Sequence, residues 1–255
     1  MPTPLLLINL DRSKDRLAAV EASAAGLGLR ITRVPAIDGS TLTAEQRSLI
    51  DEARFHQICG KTVLTAEIGC YLSHLRAIRH IAEGEDEIGV VLEDDVQFTA
   101  DFSAVIDELA CIKGWDVVKL VNHRTTAFLR RLPLGNGYAL GRCIHGSLGS
   151  AAAYAVRRDA ARRLVTSLRP MVMQFDVELE RGWAHGTALF TLDKPLVKLT
   201  RAPSVIEGSG LRRIKFPLRR RWRTGIFRTL NYFRCAAYAL TPSALTRTID
   251  VPPRG

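Results

Sequence analysis

The sequence predicts an α/β fold, a sheet with helices on its faces. Three observations carry that expectation. Short, β-branched apolar runs alternate with amphipathic stretches through the first two-thirds of the chain. One of those runs ends in three consecutive acids, Glu93, Asp94 and Asp95, and the ends of strands in open α/β sheets are where ligands bind. The length of 255 residues, 47% hydrophobic and 24% charged, suits one domain or one domain with a small appendage.

The elements follow in order. Residues 5–10 are a buried strand, and Ser13 is a plausible N-cap for a helix to Ala25 with Asp15 in its first turn. Gly26 and Gly28 end that helix, and residues 31–34 form a second strand stopped by Pro35. Thr43 and Gln46 make a capping-box pattern that opens a short helix. A longer helix spans 66–82 behind Thr65 as cap, with Ile68, Leu72, Leu75, Ile78 and Ile81 on one face. The acid-tipped strand comes next, then a helix at 102–109 and a strand at 117–121. Residues 124–149, rich in Gly and Arg, read as a long functional loop. A strand at 151–156, an Arg-rich helix at 159–168 closed before Pro170, and a last core strand at 188–192 complete the series.

Charge divides the chain. Residues 208–249 hold ten Lys or Arg and no acid, so the other 26 basic residues equal the 26 acids. The expected division is a domain over 1–207 and a basic amphipathic tail over 208–255. Arg219, Arg220, Arg221, Trp222 and Arg223 precede Ile226, Phe227, Leu230, Tyr232 and Phe233. That mixture of cations and apolar groups suits the interface of an anionic membrane. Nucleic acid competes for the same charge but does not call for interleaved apolar groups; a solvated face is the third reading.

Five scattered cysteines without a CxxC pair argue against a disulfide framework or a structural zinc site, and fit a reducing compartment. The apolar run at the N-terminus is too short for a secretory core, and no later stretch reaches a membrane-spanning length. The expectation is a cytoplasmic protein, peripheral on the inner face of a membrane.

Three carboxylates at the end of a buried strand repel one another and lose hydration. A divalent cation relieves that cost, and carboxylate oxygens suit hard ions such as magnesium or manganese. The competing reading is a solvated turn or the cap of the next element. An aspartyl phosphatase would place a nucleophilic Asp where Glu93 stands, and a phospho-receiver would need an acidic pair where Asp11 is alone. Neither GxGxxG nor a P-loop is present. Metal-assisted transfer from a diphosphate-bearing donor remains, with the ion neutralising charge on the departing group.

Several ordered motifs then converge. Asn9, Leu10, Asp11, Arg12 and Arg16 resemble the opening segment of glycosyltransferase family 25, the lipopolysaccharide-biosynthesis glycosyltransferases. Residues 35–39 resemble its PAIDG element; Glu67, Gly69, Cys70, Ser73 and His74 its EIGC..SH helix; and residues 91–96 its VLEDDV motif. Tyr154 to Val156 with Ala161 and Leu164 resemble a later segment, and Asp176 falls where the family places an Asp. The likeness covers about residues 4–206 and is strongest in the first hundred.

The resemblance implies a GT-A-like, Rossmann-type mixed sheet that binds a UDP-sugar with Mn2+ or Mg2+. It also implies inverting transfer of a hexose, often galactose, to a lipooligosaccharide or other glycan. By position Glu93 and Asp95 are the metal pair, with Asp95 the first choice. Asp94 either contacts the donor or stabilises the turn. Asp176, preferred to Glu178, is the general base or else a helix N-cap. Asn9 and Arg12 stand at the end of the first strand, where nucleotide contacts lie. Ser73 and His74 belong to the donor site by motif; His185 is too isolated to assign. A non-catalytic module binding sugar nucleotide or anionic polymer is the alternative.

Overall fold

A computed structural model describes residues 3–200 and 215–247. The strands are β1 (Leu5–Asn9), β2 (Ile31–Pro35), β3 (Ile88–Glu93), β4 (Val96–Phe98), β5 (Ile112–Lys113) and β6 (Val117–Lys119). β7 (Phe128–Pro133), β8 (Ala139–Cys143), β9 (Ala153–Arg157), β10 (Leu189–Leu192), β11 (Val197–Leu199) and β12 (Thr246–Arg247) follow. The helices are α1 (Lys14–Ala25), α2 (Ala44–Ser48), α3 (Glu52–Cys59), α4 (Thr65–Glu83) and α5 (Phe102–Ala110). α6 (Arg158–Ser167), α7 (Phe175–Leu179), α8 (Gly182–His185) and α9 (Trp222–Leu240) complete the set.

Eight strands form one mixed sheet in the order β2-β1-β3-β9-β6-β10-β8-β7. β1 runs parallel to β2 and to β3, β9 lies antiparallel between β3 and β6, and β10 is parallel to β6. Successive side chains of a strand point to opposite faces, and here both faces are buried. Leu5, Leu7, Val90 and Leu92 pack on one side with Val20, Val105 and Phe190. Leu6, Ile8 and Val91 pack on the other with Ile68, Ile78 and Leu164. That double burial explains why these strands read as continuous apolar runs. The predicted α/β class, a Rossmann-type mixed sheet flanked by helices, is the architecture found.

The capping box of Thr43 and Gln46 is present, with bonds of 3.1 and 3.0 Å. Thr65 is the first helical residue rather than the cap; Glu67 reaches back instead to the Leu64 N–H at 3.2 Å.

The expected loop over 124–149 contains β7 and β8, an antiparallel pair at the edge of the main sheet. The edge position explains the misreading: β7 is only partly buried, so it carries Arg130 and Arg131 without an apolar run.

The basic segment is folded onto the body where it is described. α9 buries Thr224 and Ala239, Thr224 bonds the Gln57 carbonyl at 2.8 Å, and β12 pairs with β5. Arg142 of β8 is held between the rings of Phe190 and Tyr238, at 4.4 and 4.3 Å from their centroids. The expected junction at 207/208 lies outside the described residues.

Candidate active site

The parallel pairing of β1 with β3 sets Ile8 opposite Glu93. The last residue of β1, Asn9, therefore meets the acidic turn that joins β3 to β4. Asn9 is 2% exposed and its Nδ2 donates to Asp94 Oδ2 at 2.7 Å and to the Ser13 carbonyl at 3.0 Å. Arg16, one turn into α1, lies 3.1 Å from Asp94 Oδ1. Both oxygens of Asp94 are thus held by the protein, which ties the acidic turn to the start of α1. Burial still pushes the Asp94 carboxyl above its ordinary range, against the opposing pull of Asn9 and Arg16.

Asp95 has the opposite situation. Its Oδ1 is buried with no hydrogen-bond partner. Burial, and then the neighbouring charges of Glu93 and Asp94, push its carboxyl up to about 7. Its backbone carbonyl is secured by the Thr200 N–H at 2.7 Å, so the turn is fixed while the side chain is left unsatisfied. An orphaned oxygen in a partly buried acidic trio fits a hard divalent cation.

Glu93 Oε1 lies 2.9 Å from His74 Nε2, and His74 Nδ1 lies 3.2 Å from the Tyr154 hydroxyl. The His74 ring stacks on Phe175 at 4.1 Å with 6° between planes. Cys70, one turn before His74 on α4, completes a group whose ligand atoms lie within 4.8 Å of one another. Burial raises the Cys70 thiol well above its ordinary range, followed by the charges of Glu93, Asp176, Glu67 and Asp95. Asp176 thus acts on the same thiol as Glu93 and Asp95.

The remaining sequence expectations sort themselves by geometry. α7 begins at Phe175 with Gln174 at its N-cap, so Asp176 is not the cap. Glu178 is buried with its Oε1 beside Arg181 at 2.8 Å and His185 at 3.0 Å, while its Oε2 has no hydrogen-bond partner. Ser73 accepts from the Ile37 N–H at 2.8 Å and donates to the Gly69 carbonyl at 2.6 Å; it stitches α4 to the loop after β2. Arg12 pairs with Asp38, and it is Arg16 that reaches the acidic turn. Sequence reasoning left Arg16, Tyr154 and Phe175 without roles. Arg16 carried a signal, since it stands four residues, one helical turn, beyond Arg12; the other two are placed only by the long-range pairing of β9 and the packing of α7.

Deeper along the same sheet, Lys119 is fully buried and pairs with Glu180. Lys119 Nζ also donates to the Gly149 carbonyl at 3.0 Å, and Glu180 accepts from the Leu148 N–H at 2.8 Å. This pair pins residues 148–149 beside β6.

A glycosyltransferase family 25 member of Drosophila pseudoobscura pseudoobscura is 27% identical over 125 residues, 45% of this chain and 20% of the relative. Human procollagen galactosyltransferase 2 is 28% identical over 109 residues, 41% of this chain and 17% of the relative. The human inactive glycosyltransferase 25 family member 3 is 29% identical over 177 residues, 64% of this chain and 28% of the relative. The chain thus spans about a fifth of the length of the first curated relatives it matches. A solved structure of galactosyltransferase LgtC with donor and acceptor sugar analogs aligns over 94% of this chain and 97% of that one, at 11% identity and a TM-score of 0.44. The family model described as glycosyltransferase family 25 (LPS biosynthesis protein) matches residues 2–132, half of the sequence. The chain belongs to glycosyltransferase family 25.

Proposed function

We propose that this chain is a metal-dependent, inverting glycosyltransferase that moves a hexose, galactose first among them, from a UDP-sugar to a lipid-linked or other glycan. The observation that carries the reading is the unpartnered, buried Oδ1 of Asp95 in an acidic turn at the end of β3. Asp95 and Glu93 would hold the cation. Mn2+ or Mg2+ there supplies charge neutralisation for the diphosphate. The galactosyl preference is drawn from the procollagen galactosyltransferases among its relatives.

The chain's own groups account for the rest. Asn9 and Arg16 lock the turn, which keeps Asp95 from relaxing toward solvent. Asp176 would take the proton of the acceptor hydroxyl as its oxygen bonds to the anomeric carbon. The bond from that carbon to the diphosphate breaks, and UDP leaves with the electron pair. Arg12 and Ser73 are retained only as donor-site neighbours, because the groups they touch belong to the protein.

The membrane surface enters through α9. Its inward side holds Thr224 and Ala239, while Trp222, Ile226, Leu230 and Phe233 are 59, 52, 50 and 63% exposed along the opposite side. Arg219, Arg220, Arg223 and Arg234 are exposed around that stripe, the pattern of a helix lying in an anionic interface. Arg181, next to the segment that carries Asp176, bonds Asn231 of α9 at 3.1 Å. Among the described residues no helix is long and apolar enough to cross a membrane.

Calorimetric titration of UDP with and without manganese tests the donor half. Manganese-enhanced binding that Asp95→Ala abolishes supports it; equal binding with and without the ion overturns it. Sedimentation with anionic vesicles, compared with retention on duplex DNA, tests the role of α9. The second reading, a module that binds without turnover, is favoured by the likeness to the inactive human family member. Absence of UDP release across donors and acceptors, despite metal-enhanced UDP binding, would select it.

A further inference from the structure

The geometry points to a second, overlapping site for a zinc-class cation, formed by Cys70 and His74 together with Glu93. Cys70 and His74 stand four residues apart on α4 and so present their side chains on one face. Glu93 closes the group from the end of β3. The three ligand atoms lie within 4.8 Å of one another, and His74 Nε2 is already 2.9 Å from Glu93 Oε1. Tetrahedral zinc places its sulfur, nitrogen and oxygen ligands about 3.3–3.6 Å apart, as its bond lengths require. Reaching that arrangement needs small rotations of Cys70 and Glu93, with the imidazole as the fixed member.

His74 is built to be that fixed member. It is 1% exposed, stacked on Phe175, and its second nitrogen faces the Tyr154 hydroxyl. An outer partner on the far nitrogen sets the ring orientation and leaves the near nitrogen for a metal. The Glu93 side chain is 32% exposed, so a cation held by the group would be reachable from solvent. Three protein ligands and one open position are the pattern of accessible zinc sites.

The ligand chemistry separates this site from the hard-ion pair at Asp95. Thiolate and imidazole favour zinc or cobalt, whereas carboxylate oxygens favour manganese, magnesium or calcium. The cysteine spacing concealed the site, because it uses one cysteine, one helical turn and a carboxylate from a distant strand. Glu93 is common to both sets, so zinc bound here withdraws one ligand from manganese. The site itself stands without the glycosyl-transfer reading.

Cobalt is the probe, titrated into the full chain without nucleotide. The expected result is about one equivalent bound, with the intense visible bands of a tetrahedral ion and a sulfur-to-cobalt charge-transfer band. Cys70→Ser removes the charge-transfer band, while Asp95→Asn leaves both features in place. A featureless spectrum in the wild-type chain, or a charge-transfer band that survives Cys70→Ser, overturns the site. Loss of the bands in Asp95→Asn also overturns it, by showing that the acidic turn holds the ion. Zinc K-edge absorption on the unmutated chain gives a readout that does not depend on any variant folding. One sulfur with nitrogen and oxygen neighbours supports the assignment, and an all-oxygen shell refutes it. Failure here leaves metal-enhanced UDP binding untouched, so the two readings fail separately.

Discussion

Replacing Asp95 with Asn should make the metal-free protein more stable while removing its response to manganese. The carboxyl of Asp95 is raised from 3.8 to about 7 by burial and by Glu93 and Asp94. A raised carboxyl is one the folded state prefers protonated, so its cost is absent near pH 4. The cost grows between pH 4 and 7 and is complete above 7. Each tenfold change in proton affinity is worth about 1.4 kcal/mol, which sets a ceiling of about 4 kcal/mol. Because Glu93 and Asp94 share the repulsion and the side chain is only partly buried, about 2 kcal/mol is the expected gain for Asp95→Asn at pH 8. In a chain of this length that corresponds to roughly 4–8 °C in Tm. Thermal unfolding at pH 8 and pH 4, without metal, measures it: the variant should unfold higher at pH 8 and the gap should close at pH 4. Adding manganese with UDP should raise the wild-type Tm and leave the variant unchanged. Equal stability at pH 8, or a variant weaker at both pH values, would show that Asp95 is an ordinary structural acceptor. The cation assignment would then lose its physical basis.

Three further outcomes test the neighbouring groups. Asp176→Asn should lower transfer by about 10²–10⁴-fold, the span of a lost general base, with UDP affinity in calorimetry unchanged. Lys119→Met should destabilise by about 3–5 kcal/mol in urea unfolding, because it strands the buried charge of Glu180; adding Glu180→Gln should recover part of that loss. Gly69→Ala should cost about 1–3 kcal/mol by the same assay, since a Cβ there would stand 2.5 Å from the Ile37 carbonyl oxygen and 2.8 Å from the Gly39 nitrogen.

Much of the sheet was legible because its central strands are buried on both faces, which leaves a local apolar signature in residues 5–9 and 88–93. Helix α4 was legible through its spacing of Ile68, Leu72, Leu75 and Ile78. Helix α3 was overlooked although its ends carry signals: Asp51 accepts from the Arg54 N–H at 2.9 Å, and Gly60 has φ +67°. The β7–β8 pair was hidden by the arginines that an edge strand tolerates. Helix α9 was read as a tail because its inward side is Thr224, Asn231, Tyr238 and Ala239, too polar a set to announce a docking face. In the site, residue types were readable and pairings were not. The acidic turn declared itself, but that Arg16 rather than Arg12 reaches it depends on the orientation of α1. That His74 meets Glu93 depends on how α4 crosses β3.

The motif residues divide by what they do physically, and the division narrows the chemistry. A side chain on Gly39 would strike the Thr65 carbonyl at 2.2 Å, and one on Gly69 would strike the Ile37 carbonyl. Ser73 bonds the same loop through the Ile37 N–H. These three residues make the loop after β2 and helix α4 interlock at backbone contact, which fixes where the next turn of α4 projects. Cys70 and His74 are delivered to Glu93 by that interlock. Asn9 and Arg16 then hold the two oxygens of Asp94 from the other side, Asn9 by a hydrogen bond and Arg16 by its charge. What remains at the turn is a partly buried carboxylate, Asp95, with a buried oxygen that no group among the described residues satisfies. At the acidic turn both Asp94 oxygens are held while this Asp95 oxygen is open, so the unmet electrostatic demand of the turn falls on Asp95, where the proposed cation would meet it.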